Sequence, residues 1–271
     1  MRVSDAWTTP PALGEAVPTH SLFPRLAARL PIGRMGRAFY AFRTIASTQD
    51  ELRRLAEAGA PEGTLVVADH QTRGRGRRGR WWRDEPGANL LLSLLFRPDI
   101  PAAQAPQLSL LAALASTDAL GAATGLGIGV RWPNDLQVRE RKVGGILAEA
   151  QAVGERVSHI SLGIGINVNQ TRFPADLSRP ATSLALEAGQ ALDREALLEG
   201  LLASLDRWYA RYRREGFLPV RDGWRRASVT LGHPVDGGGV SGIAEDLDED
   251  GALLVLTPEG VRVRLVAGEL R

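Results

Sequence analysis

Apolar residues recur along the chain with two spacings, and the switches between them mark its elements. Over residues 48–58, Leu52 and Leu55 form a helical stripe, Thr48 and Glu51 have capping-box spacing, and Gly59 supplies a stop. Residues 64–68 read as a strand, and 89–96 form an apolar run of strand length. The segment 106–124 reads as a buried helix ended by Gly125. Short strands are predicted at 128–132, 136–138, 145–152 and 157–166, with Asn134-Asp135 and Glu140-Arg141 as turns. Helical spacing returns over 193–215 through Leu197, Leu198, Leu201, Leu205, Trp208 and Tyr212, with Gly216 and Pro219 closing it.

After Trp224 the texture changes. Residues 229–235, 240–245, 252–257 and 261–266 read as short strands separated by Gly237-Gly238-Gly239, Asp250-Gly251 and Glu259-Gly260, the pattern of a small β-barrel. Residues 1–36 mix proline, glycine and isolated basic residues such as Arg25, Arg29 and Arg34, and read as a tail with at most one short helix. They are too short for a helix-turn-helix domain, so no DNA partner is expected. The chain thus divides into a tail over 1–36, a main domain over 37–223 and a small C-terminal domain over 224–271.

Composition narrows the chemistry. The 271 residues are 44% hydrophobic and 24% charged, a globular makeup without an apolar run long enough to span a bilayer or a secretory start, so a cytoplasmic protein with no membrane partner is expected. Without cysteine there is no thiolate nucleophile, disulfide or cysteine metal site, and His20, His70, His159 and His233 lie too far apart for a local ligand pair. Any metal is therefore expected to arrive with a phosphate substrate. A net charge of +2 is a poor field for wrapping nucleic acid. Lys142 is the sole lysine among 33 lysine and arginine residues; either its position needs a compact ammonium or the bias is chance, and composition does not separate the two.

The most unusual segment is Gln71-Thr72-Arg73-Gly74-Arg75-Gly76-Arg77-Arg78-Gly79-Arg80-Trp81-Trp82. Its glycines allow close backbone approach to a ligand, and its guanidinium groups can neutralise phosphate or carboxylate oxygens. Gly74, Gly76 and Gly79 satisfy the dinucleotide fingerprint formally, with Asp99 at the ribose-binding distance. A Rossmann unit, however, needs a helix to start at those glycines, and Pro86 and Gly87 interrupt the following segment. No Gly-Lys-Ser/Thr ends the run, so it is no P-loop. A solvated basic loop and an RNA-binding arginine tract remain as alternatives.

A second constellation follows: Arg131-Trp132-Pro133-Asn134-Asp135, then Lys142 with Gly144-Gly145, then Gly163-Ile164-Gly165-Ile166-Asn167. Each sets polar or glycine positions beside strand-like runs, where a sheet could present them on one face. Taken singly, an Asx turn or close backbone packing would explain each. Together with Ser47-Thr48-Gln49 and the Gly74 to Trp82 loop, in this order and spacing, the segments resemble the biotin protein ligases from about Phe42 to the C-terminus. The fold this resemblance implies is α+β: a mixed, largely antiparallel sheet flanked by helices, like class II synthetases, with an SH3-like β-barrel after it.

The resemblance also implies roles. Ser47, Thr48, Gln49 and Gln71 would form the biotin site with Gly145 and Gly163, the hydroxyls near the ureido head. Gly74, Arg75, Gly76 and Arg77 would belong to the loop over biotin and its adenylate. Lys142 would contact the carboxylate and the α-phosphate, with Arg75 and Arg77 as further catalytic cations. Arg80, Trp82, Asn134, Asp135 and Asn167 would face the nucleotide, Asp135 being the candidate to touch magnesium. Biotin and ATP with Mg2+ would be substrates, without a tightly bound prosthetic group, and the acceptor would be a biotin carboxyl carrier domain of acetyl-CoA carboxylase or a related carboxylase. A homodimer is left open. Two departures stand out: Gln49 where the family often has asparagine, and Arg73 where a small residue is frequent. A lipoate or octanoate ligase is the nearest rival enzyme, and a nucleic-acid module using the arginine loop is the rival of another class.

Overall fold

In chain order, β1 (Gly14–Val17), the short helices α1 (Thr19–Leu22) and α2 (Pro24–Arg29), β2 (Phe39–Ile45), α3 (Thr48–Glu57) and β3 (Leu65–Gln71) lead into a small hairpin, β4 (Gly74–Arg75) and β5 (Trp81–Trp82). Next come β6 (Leu90–Phe96), α4 (Pro106–Thr124), β7 (Ile128–Arg131), β8 (Asp135–Val138), β9 (Arg141–Val153) and β10 (Arg156–Ile166). Three helices, α5 (Leu184–Ala188), α6 (Arg194–Glu215) and α7 (Leu218–Ala227), precede the strands β11 (Pro234–Gly237), β12 (Val240–Leu247), β13 (Leu253–Leu256) and β14 (Arg262–Leu265). This computed structural model describes residues 14–175, 177, 179–266, 268 and 270.

Eight strands form one sheet in the order β1-β2-β3-β6-β10-β9-β8-β7; β2 and β3 run parallel and every other pairing is antiparallel. The mixed, largely antiparallel sheet flanked by helices is the fold expected from the sequence. Side-chain alternation decides what lies on each face. Ile160, Leu162, Ile164 and Ile166 of β10 join Leu90, Leu92, Leu94 and Phe96 of β6 in the main core, packed with leucines of α4 and α6. The opposite face carries a smaller cluster in which Leu52 and Leu55 of α3 meet Phe42, Val66 and Leu95. Beside that cluster the same face carries Ser93, Ser161, Gly163 and Gly165, too small to fill it. The local pattern Ile-Ser-Leu-Gly-Ile-Gly-Ile therefore builds a core on one side and a trough on the other.

Two segments depart from expectation. The stretch expected as a tail contributes β1, which pairs with β2, and two helices; Phe23, Leu26 and Met35 are buried. Long-range contacts hold it: Arg25 pairs with Asp193 and Glu195, and Glu195 accepts the Leu26 N–H at 2.8 Å. Residues 1–13 lie outside the described residues. Near the other end, Pro219 does not merely follow α6 but sits in the first turn of α7, where its fixed φ and missing N–H cost nothing. Trp224, expected to open the C-terminal domain, lies inside that helix.

The C-terminal unit is a four-stranded antiparallel meander, β11 to β14, of the small SH3-like kind expected. It shares the main core: Ala244, Leu253, Val255 and Leu265 belong to the same buried cluster as α4 and α6. Among the described residues, no helix is long and apolar enough to cross a membrane.

Candidate active site

The trough is roofed by the hairpin that the glycine and arginine segment forms. Gly74 pairs with Trp82 and Arg75 with Trp81, and the Gly76 N–H donates to the Arg80 carbonyl at 2.8 Å. The return limb lays the Trp82 ring on the cross-strand pair Gly145 and Gly165. A Cβ at Gly165 would stand 2.7 Å from Trp82 Cε2, so only hydrogen fits there. Gly163 is close-packed too: its Cβ would lie 3.1 Å from the Gln49 side chain.

Polar groups wall one end. Ser47 stands at the N-cap position of α3 without a capping side-chain bond, and the following Thr48 donates both its N–H and its hydroxyl to Gln71 Oε1, at 2.8 and 3.1 Å, while Ser93 Oγ donates to Thr48 Oγ1 at 2.9 Å. Gln49 Nε2 donates to Ser161 O at 3.0 Å and to Glu149 Oε2 at 3.2 Å. Ser47 Oγ and Gln49 Oε1 are buried without a hydrogen-bond partner among the described residues. Leaving such atoms unpaired costs roughly 1–3 kcal/mol each, so they are poised to read a polar ligand group.

The other end is ionic. Lys142 Nζ donates to Asp135 Oδ1 at 2.6 Å and stands 5.8 Å from the Trp82 ring centroid. Arg179 reaches Asp135 Oδ2 at 3.5 Å. It is brought there by backbone pairing: the Lys142 N–H donates to Pro180 O and the Thr182 N–H to Lys142 O, each at 2.9 Å. Asn167 secures this segment, its Nδ2 donating to Thr182 O at 3.0 Å. Asn134 Nδ2 donates to Ile146 O at 2.6 Å, and its Oδ1 accepts from Arg77 Nη1 at 3.2 Å. Arg75 has another setting. Its guanidinium donates to Asp50 at 2.8 Å and to Glu149, so its charge is balanced by two carboxylates.

One cavity takes in Ser47, Thr48, Gln49, Gln71, Arg75, Gly76, Arg77, Arg80, Trp82, Asn134, Asp135, Lys142, Gly145, Gly163 and Asn167. Gly74, also expected at the site, instead serves the hairpin, where a Cβ would stand 2.6 Å from the Trp82 carbonyl. Sequence reasoning missed Arg179, Phe173, Leu177 and Ala181, which also line the cavity. Their neighbours carry no motif; only the pairing of Lys142 with Ala181 brings them in. The cavity suits a molecule with a polar but uncharged head, a slender apolar middle and an anionic end.

Comparison with known proteins gives matches along most of the chain. The family model for the biotin/lipoate A/B protein ligase family matches residues 41–167, and that for the biotin protein ligase C-terminal domain matches residues 229–270. A bifunctional ligase/repressor BirA of Bacillus spizizenii is 40% identical over 234 residues, covering 84% of this chain and 72% of the relative. A biotin--[acetyl-CoA-carboxylase] ligase of Paracoccus denitrificans is 38% identical over 226 residues, covering 80% and 93%. Among solved structures, a biotin protein ligase from Aquifex aeolicus in complex with biotin and ATP superposes with a TM-score of 0.76 at 30% identity, covering 87% of this chain and 99% of that one.

Proposed function

The chain belongs to the biotin protein ligase family, enzymes that convert biotin and ATP to biotinyl-5′-AMP and pass the biotinyl group to a carrier lysine, and from that premise we propose which residues serve each step. The observation that carries the assignment is the meeting of Lys142, the sole ammonium side chain, with the glycine and arginine hairpin around one cavity. Biotin's ureido ring offers two N–H donors and a carbonyl; Ser47 Oγ and Gln49 Oε1 supply a donor and an acceptor that lack partners. Its bicyclic body and valeryl chain run through the cavity alongside the Trp82 ring, which itself rests on Gly145 and Gly165.

In this reading the biotin carboxylate lies beside Lys142. Attack of a carboxylate oxygen on the α-phosphorus of ATP forms the mixed anhydride and expels pyrophosphate. Two anions must meet, and Lys142 and Arg77 screen them, with Arg80 at the rim. Arg75, already held by Asp50 and Glu149, steadies the hairpin and adds cationic field at greater distance. Among the described residues no group of three acidic or histidine side chains could cage a metal, and Asp135 faces two cations. Magnesium would arrive with the nucleotide substrate, where its charge would help neutralise the phosphates. A lysine amine of the carrier domain then attacks the anhydride carbonyl, and AMP leaves.

The test is biotin-dependent exchange of labelled pyrophosphate into ATP, followed by streptavidin detection of an apo carrier domain. Exchange that follows biotin, not lipoate, and stops with EDTA is the expected result; exchange driven by lipoate alone overturns the assignment. Gly165→Val should raise the KM for biotin by about tenfold, the equivalent of ~1.4 kcal/mol, because its side chain would push the Trp82 indole off the sheet and into the space biotin uses. An unchanged KM would mean that biotin does not use the trough.

A further inference from the structure

The hairpin loop leaves the sheet after Gln71, passes Asp84 beside the end of β3 and re-enters the sheet at Leu90. On the outgoing side backbone bonds fix it: the Thr72 N–H donates to Ile45 O and the Arg73 N–H to Ala46 O, each at 2.9 Å. On the return side a side chain does the work. Asp84 Oδ2 stands 2.8 Å from His70 Nδ1, and Oδ1 accepts the Gln71 N–H at 3.4 Å. Farther along, the Gly87 N–H donates to Asp69 O at 3.0 Å, so the return limb follows the end of β3.

The Asp84 side chain is fully buried, whereas the His70 ring is 30% exposed. Burial pushes the Asp84 carboxyl above the ordinary carboxylate range, and the bond to His70 opposes that push. A single side-chain hydrogen bond adds only modest net stability, so its presence at the foot of this loop points to geometry. Two site groups depend on that geometry. Gln71, whose backbone Asp84 holds, carries the acceptor for Thr48, and Trp82, two positions before Asp84, covers Gly145 and Gly165.

We propose that His70 and Asp84 are a positioning pair for the ligase reaction, fixing the return foot of the loop and so setting how long biotinyl-5′-AMP is held. Neither residue touches the reacting atoms. The proposal rests on the ligase reading above and goes beyond it by assigning adenylate retention to a contact outside the cavity.

The experiment uses the full chain and compares Asp84→Ala, His70→Ala, the double variant, Asp84→Asn and His70→Asn. Each is loaded with biotin and ATP, and release of labelled biotinyl-5′-AMP is timed alongside pyrophosphate exchange at saturating biotin. Asp84→Ala and His70→Ala should each speed release about tenfold, the worth of a hydrogen bond to a charged group, with exchange changed less than about threefold. The double variant should be no leakier than Asp84→Ala, because that variant already removes the one contact that His70→Ala takes away. Asp84→Asn should restore retention, its Oδ1 accepting the Gln71 N–H and its Nδ2 donating to the ring nitrogen in the other tautomer. Unchanged release in the alanine variants, or additive effects in the double variant, would overturn the pairing. If Asp84→Ala fails to fold, the exposed partner still decides it: His70→Ala must leak and His70→Asn must not. Wild-type protein without biotin-dependent exchange would instead overturn the ligase reading itself, and the pair's role with it.

Discussion

Replacing Lys142 with alanine is expected to slow biotin-dependent pyrophosphate exchange by on the order of 10²–10³-fold, the usual cost of removing one preorganised charge from a transition state. Folding should barely change. The side chain is 28% exposed, and its loss leaves Asp135 with Arg179 and not stranded. Lys142→Arg should be nearly as slow. Nζ sits where a Cβ on Gly145 would be 3.4 Å away, with the Trp82 ring beside it, so a planar fork has no room to take the same position. Exchange and thermal melting measured on both variants check this, and near-normal exchange in Lys142→Ala would remove the residue from the chemistry.

Trp224→Ala should remove roughly 3–5 kcal/mol of stability, a large part of the roughly 5–15 kcal/mol that domains possess. Trp224 is 0% exposed, and its indole N–H finds no partner among the described residues, so its contribution is apolar packing. It lies on α7, which packs on α4, α6, β7 and β12 and thereby joins the main sheet to the C-terminal strands. Urea denaturation should show the midpoint falling, and Trp224→Phe should recover much of the loss. A change below about 1 kcal/mol would mean that the site collapses around the cavity.

The elements legible in the sequence were those whose pattern is local. Helix α3 announced itself by Thr48, Glu51 and Gly59, and β10 by its alternation. The segment Phe39–Ile45 was not read as a strand, because its burial comes from β3 and β1 on either side and not from its own pattern. Pro219 was read as a stop because the same residue serves as the end of one helix and the start of the next; chain direction around it, not its chemistry, differs. At the site, glycines and the lone lysine were visible as oddities of composition. The pairings of Arg75 with Asp50 and Glu149, and of Arg179 with Asp135, join segments far apart in the chain and exist only once the sheet has set its register.

Register has a further consequence at β10. Ile164 and Gly165 are adjacent, yet one is part of the oily interior and the other is the floor on which Trp82 rests. A slip of a single residue would exchange the two roles along the whole strand, driving isoleucine up against the indole and hollowing the interior at once. Insertions or deletions of one residue here should therefore be lost to selection twice over, while paired changes that keep odd and even positions in place have a route open.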